Sequence, residues 1–193
     1  KNYKELAKIL AGSGVDLLIL ELLVDIDHSK ILLEAAMETG LPVWVGLSCC
    51  KNKNDGSIVG RNFSVENIKS LIYDEDEFPE APKLLPEDKI IPLKDIILSL
   101  KAVGGDVYGI MHSWFEDSKA GLEILKENWD GPIMFYPEIM LFDTSTGGAQ
   151  ITSTEKEFAE SCQKLIDNRI KVIGGCCGVS DKHLNALVKK ISP

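Results

Sequence analysis

The sequence predicts an α/β fold built on parallel strands, and three observations predict it. Short apolar runs alternate with amphipathic stretches along the chain, a pattern that joins parallel strands through helical crossovers. Residues with reactive or polar side chains, Glu21, Cys49, His112, Tyr136, Cys176 and Cys177, each fall just after such an apolar run. In parallel α/β folds those C-terminal strand ends build the site. The composition, 45% hydrophobic and 26% charged in 193 residues, suits one domain with a real core, and disorder is not the default.

The elements follow in order. Residues 3–12 read as a helix, stopped by Gly12 and Gly14. Val15–Leu20 is a buried-strand run ending on Glu21. Residues 28–39 make a helix with Ile31, Leu32, Ala35 and Ala36 on one side, stopped by Gly40. Pro42–Leu47 is the next strand, leading to Ser48, Cys49 and Cys50, and a polar loop over Lys51–Asn62 follows. Ser64 is placed to cap a helix carrying Val65, Ile68, Leu71 and Ile72. The stretch from Asp74 to Pro92 reads as an exposed acidic loop. Leu93, Ile96, Ile97 and Leu100 resume a helical spacing.

Val107–Met111 is a strand ending at His112, followed by a helix over 118–128. Pro132–Phe135 is a strand ending at Tyr136 and Pro137, and Glu138–Ser153 reads as a Gly- and Thr-rich loop. Thr154 and Glu157 have capping-box spacing, and Phe158, Cys162, Leu165 and Ile166 continue that helix. Lys171–Ile173 is the last strand, and Leu184, Leu187, Val188 and Ile191 give a final helix. One helix and five strand–helix units result. The alternation alone leaves an open sheet and a barrel equally allowed.

Charge narrows the partners. A net charge of −9, with pI near 4.9, argues against nucleic acid and anionic membranes, which need clustered Lys and Arg. No apolar run approaches the roughly 18 residues of a membrane span, and no signal peptide is visible. The five cysteines form two adjacent pairs and a singleton. Neighbouring cysteines bridge each other poorly, so free thiols or a metal in a reducing cytoplasm are expected. Lys1 stands where a Met would begin a chain, and an incomplete sequence is expected.

Cys176 and Cys177 carry the chemistry. They lie between Gly175 and Gly178 after a buried strand. Both thiols reach one metal only if the backbone bends, which glycines permit. Zinc favours thiolate and imidazole in a tetrahedral array, with one position open in catalytic sites. His112, ending another strand, is the candidate third ligand. The remaining candidates read as structural. Cys49 reads as packing, with a spare-ligand role open, and Cys162 as core on a helix face with Phe158 and Leu165. His183 is expected to orient the turn after the cysteines, and His28 to lie at a helix start. Trp44, Trp114 and Trp129 read as core or pocket wall.

The segment Val172-Ile-Gly-Gly-Cys-Cys-Gly-Val-Ser-Asp-Lys-His-Leu184 resembles the terminal signature of the homocysteine S-methyltransferase family. Four further segments match in order. Gly14-Val-Asp-Leu-Leu-Ile-Leu-Glu21 resembles the family strand that ends in a substrate-binding glutamate, and Pro42-Val-Trp-Val-Gly-Leu-Ser-Cys49 its Pro-Val-Trp strand. Gly109-Ile-Met-His112 takes the place of Gly-Val-Asn-Cys, and Phe135-Tyr-Pro137 matches a Tyr-Pro-Asn strand end.

The resemblance implies a (β/α)8 TIM barrel, of which strands four to eight are present here as the C-terminal portion of a longer chain. It implies zinc-dependent methyl transfer to the thiol of homocysteine, giving methionine, with a small methyl donor. On that pattern His112, Cys176 and Cys177 hold Zn²⁺, Glu21 binds the homocysteine ammonium and Tyr136 lines the donor pocket. Two departures stand out: His112 replaces a family cysteine, and Glu138 stands where the family has Asn. His112 makes a Cys–Cys–His site formally neutral with Zn²⁺. That leaves room for two alternatives, a methyltransferase for another thiol or selenol and a catalytically degraded zinc-binding relative.

Overall fold

The computed structural model describes residues 2–62, 65, 71–72, 90–143 and 148–192. It opens with helix α1 (Asn2–Gly12), strand β1 (Leu18–Leu23), helix α2 (Ile26–Met37) and strand β2 (Val43–Leu47). Short strands β3 (Cys49–Lys51), β4 (Ile58–Gly60) and β5 (Leu71–Ile72) follow, then helix α3 (Leu93–Lys101). Next come β6 (Val107–Trp114), α4 (Phe115–Asn128) and β7 (Ile133–Glu138). The chain continues with β8 (Met140–Asp143), β9 (Gly148–Ile151), α5 (Glu155–Leu165), β10 (Ile170–Ile173) and α6 (Asp181–Ile191).

Five strands form the central sheet in the order β1-β2-β6-β7-β10, and every pair is parallel. Spatial order follows chain order without a reversal. A doubly wound sheet reverses at a switch point, so this is the winding of a (β/α)8 barrel, here as a five-strand sector. Among the described residues, no helix is long and apolar enough to cross a membrane.

Local sequence accounts for the elements. The Asp25 side chain accepts the His28 N–H at 2.8 Å and starts α2. Thr154 and Glu157 form the expected capping box on α5. Leu93, Ile96, Ile97 and Leu100 of α3 are all fully buried, the one-sided stripe their spacing predicts. They share a core with Val43, Val45 and Leu47 of β2, Tyr108 and Ile110 of β6, and Ile133 and Phe135 of β7. Each fully buried Leu, Ile or Phe contributes about 1.5–3 kcal/mol. The opposite sheet face carries a different layer, in which Met111 packs over Gly46 and Met134 over Gly109.

Several expectations need correction. Lys51–Asn62 is no simple loop, because β3 and β4 pair antiparallel within the segment 49–60. The turn between them uses Gly56 at φ +78°. Leu71 and Ile72 were expected on a helix but form β5, parallel to β8. The rest of that expected helix, apart from the buried Val65, lies outside the described residues, as does most of the acidic stretch 74–92. Glu138–Ser153 contains β8 and β9, which pair antiparallel. The strand of Val15–Leu20 is shifted forward to Leu18–Leu23, and the 118–128 helix begins at Phe115.

The inner layer yields a stability test. A Cβ added at Gly109 would overlap the Met134 backbone carbonyl as well as its side chain. One at Gly46 chiefly meets the flexible end of Met111. Gly109→Ala should therefore cost about 1–3 kcal/mol or more, the overpacking range, and more than Gly46→Ala. Denaturant midpoints of the two variants should fall in that order, and the reverse order would contradict the packing described.

Candidate metal centre

Regular pairing of β1 with β2 breaks between Leu20 and Leu23, and that of β6 with β7 between Met111 and Trp114. Leu22 at φ +62° and His112 at φ +44° lie in those breaks. Glu21 and His112 thus sit where the ladders open at the C-terminal edge of the sheet, although both are inside the strand bounds.

Cys176 and Cys177 follow β10 in a turn pinned to the end of β7. The Gly174 N–H donates to the Phe135 carbonyl at 3.0 Å and the Cys176 N–H to the Pro137 carbonyl at 3.0 Å. In return the Ile139 N–H donates to the Cys177 carbonyl at 2.9 Å. Gly178 takes φ +86°, a left-handed turn that glycine adopts at no steric cost. Gly174 leaves space for the Tyr136 ring, whose nearest atom would lie 2.7 Å from an added Cβ.

This turn brings three donor atoms together. The Cys176 Sγ lies 3.4 Å from His112 Nδ1 and 3.9 Å from Cys177 Sγ. Cys177 Sγ lies 3.6 Å from the same nitrogen. Tetrahedral zinc, with sulfur near 2.3 Å and nitrogen near 2.0–2.1 Å, requires ligand separations of about 3.6 Å for N to S and about 3.8 Å for S to S. The donor set therefore fits zinc in spacing and in chemical type. Among the described residues it is the cluster of His, Cys, Asp and Glu whose ligand atoms all lie within 4.8 Å of one another.

Electrostatics set the resting state of these groups. Burial pushes the Cys176 thiol up to about 11, and Cys177 adds to the rise. Burial also holds the His112 imidazole below its ordinary value, against the opposing pull of Glu138. The imidazole is then neutral near pH 7, the form that offers a lone pair to a metal. Glu21 is exposed, and its charge acts on both His112 and Tyr136. Burial first, and Glu21 second, raise the Tyr136 hydroxyl.

The other candidates lie outside the cluster. Cys49 is fully buried, with Sγ 3.6 Å from the Asp117 carbonyl, and burial pushes its thiol up. Cys50 packs with Val59 and Val65. Cys162 is core beside Phe158, its thiol pushed up to about 12 by burial. His183 bridges two segments, since its Nδ1 receives the Ser180 N–H at 3.1 Å while Nε2 lies 3.2 Å from the Ser153 carbonyl. His28 is exposed at the start of α2.

Two neighbours of His112 were given no role in the sequence reading. Glu138 is 4% exposed, and its Oε2 lies 3.4 Å from His112 Nδ1. Its Oε1 pairs with Arg61 Nη2 at 2.9 Å. Arg61 Nη1 also donates to the His112 carbonyl at 2.6 Å. Arg61 was read as part of a polar loop, and nothing in the residues around it signals burial.

Fold and site together define a class: a parallel β/α barrel sector with a cysteine–cysteine–histidine donor set at its C-terminal strand ends. The profile of the family described as Homocysteine S-methyltransferase matches residues 1–74 and 92–191. The chain belongs to that family. Among solved structures, the homocysteine methyltransferase MmuM from Escherichia coli in its metallated form superposes with a TM-score of 0.62 at 16% identity. That match covers 98% of this chain and 51% of the other, so the chain spans about half the length of that structure. A type I 3-dehydroquinate dehydratase from Clostridium difficile gives a TM-score of 0.46 at 15% identity, over 97% of this chain and 59% of that one. Likeness at these identities concerns the fold alone, and the second score adds nothing to it. No curated protein sequence matches the chain.

The thiol environments predict reactivity in metal-free protein. Iodoacetamide should modify the half-buried Cys176 and Cys177 ahead of Cys49, Cys50 and Cys162, which are all fully buried. The thiolate is the reactive form, so the Cys176 rate should keep climbing through pH 9 toward about 11. Peptide mass spectrometry across pH measures this, and a plateau below pH 8 would contradict it.

Proposed function

We propose that this chain supplies the zinc-binding part of an enzyme that transfers a methyl group to the thiol of homocysteine, giving methionine. The observation that carries the reading is the set of three separations, 3.4, 3.6 and 3.9 Å, among His112 Nδ1 and the two sulfurs. They match the edges that one tetrahedral zinc ion would impose. Family membership supplies the reaction class.

In this reading His112, Cys176 and Cys177 hold Zn²⁺ and leave a fourth position for the substrate thiol. A free thiol, with a pKa near 8.5, is mostly protonated at neutral pH. When bound, zinc acidifies a coordinated thiol and fixes its position, which makes a nucleophile available at pH 7. This chain's residues contribute beyond the metal. Glu21, exposed at the strand ends, offers a carboxylate to the substrate ammonium. Tyr136, seated against Gly174, walls the space beside the sulfurs where the donor methyl must approach. The substrate sulfur gains the S–CH₃ bond as the donor's bond to that methyl breaks, and a cationic sulfonium or ammonium donor leaves neutral.

Two variants of the full-length protein test the reading. Cys177→Ala should lose stoichiometric zinc, because two protein ligands rarely hold it tightly, and methionine formation from homocysteine should stop with it. Glu21→Gln should keep its zinc and raise the KM for homocysteine, weakening binding by about 1.5–3 kcal/mol, the range for a hydrogen bond to a charged group. An unaltered KM would remove Glu21 from the site. Zinc content without methionine formation from homocysteine would redirect the reading to another thiol or selenol.

A further inference from the structure

We propose that Arg61 is the positioning residue of the centre, holding the His112 backbone and neutralising the carboxylate beside its ring; this rests on the metal reading above. His112 has φ +44°, a left-handed conformation that persists in a non-glycine residue only where its surroundings hold it. Its carbonyl receives two short hydrogen bonds, from Ser48 Oγ at 2.6 Å and from Arg61 Nη1 at 2.6 Å. The other arm of the guanidinium, Nη2, meets Glu138 Oε1 at 2.9 Å. Glu138 Oε2 in turn lies 3.4 Å from His112 Nδ1, the nitrogen that also faces the two sulfurs, so its pairing with Arg61 lessens its hold on that atom. One planar cation therefore fixes the His112 carbonyl and balances the carboxylate next to its ligand nitrogen.

The placement of Arg61 serves this role. It follows β4, and its N–H donates to the Ser48 carbonyl at 2.9 Å. The Ser48 N–H is held by the Leu23 carbonyl at 3.1 Å. The β3–β4 hairpin thus delivers a buried guanidinium across the ends of β1 and β2 to the break in β6. Arg61 and Glu138 are 7% and 4% exposed, and a buried carboxylate that lost its cation would be strongly unfavourable. Lysine could keep the charge but could not span carbonyl and carboxylate with one rigid fork. Partners that orient a metal-binding histidine typically change metal affinity 10- to 100-fold when removed.

The test measures zinc affinity by competition with a chromophoric chelator, with the absorption spectrum of the cobalt(II)-loaded protein as a second readout. Wild type, Arg61→Met, Arg61→Lys and Ser48→Ala are compared in the full-length protein. Zinc affinity should fall about tenfold or more in both Arg61 variants, and by a smaller factor in Ser48→Ala. The cobalt ligand-field bands should shift in all three, while charge transfer from the two cysteine sulfurs remains. Wild-type affinity and bands in Arg61→Met would overturn the assignment. Wild-type behaviour in Arg61→Lys would overturn it too, because charge alone would then suffice. If Arg61→Met does not fold, Arg61→Lys decides, and unchanged bands and affinity there overturn the proposal. Failure of the wild type to take up either metal is a separate result that overturns the metal reading itself.

Discussion

Two consecutive residues must present their side chains to one point. In an extended strand successive side chains diverge to opposite faces, so Cys176 and Cys177 can meet a common partner only off the strand. The chain leaves β10 at Ile173 and turns at once. Three hydrogen bonds tie that turn to the end of β7, and the left-handed Gly178 closes it. The sulfurs end 3.9 Å apart. The rest of the site is arranged around that constraint. Tyr136 packs where Gly174 has no side chain, and Glu138 emerges from the same strand end.

His112 meets the sulfurs at a cost that its neighbours offset. Its backbone is unfavourable, yet its carbonyl is saturated by two donors and its ring is flanked by a buried carboxylate. On the resemblance read from the sequence, histidine stands in the place of a family cysteine, which would make the donor set with Zn²⁺ formally neutral. The same chain places Glu138 where the pattern has Asn, and the carboxylate lies against that histidine and is matched by Arg61. The two departures thus meet in space: the histidine that differs from the pattern has the carboxylate that differs from it as a neighbour.

Much of this was legible in the residues, for physical reasons. Strong periodicity foretold α3, whose four apolar positions are all fully buried. The capping-box spacing of Thr154 and Glu157 foretold the start of α5. Strand-end logic brought His112 and the double cysteine to one edge, because parallel strands all point the same way. What stayed hidden was short or non-local. Leu71 and Ile72 have helical spacing with Val65, and a two-residue strand sets no period of its own. The polar residues between Cys49 and Asn62 masked the β3–β4 hairpin, which depends on pairing rather than on apolar alternation. Arg61 was unreadable because its burial depends on Glu138 and on the His112 carbonyl, both remote in sequence.

The convergence of His112 with the two cysteines on one zinc ion is most directly tested by X-ray absorption at the zinc edge on the full-length wild-type protein without substrate. The account predicts one zinc per chain in a mixed shell, with two protein sulfurs near 2.3 Å and one imidazole nitrogen near 2.0–2.1 Å. A shell whose protein ligands are all sulfur, or a carefully prepared protein that holds no zinc, would contradict it.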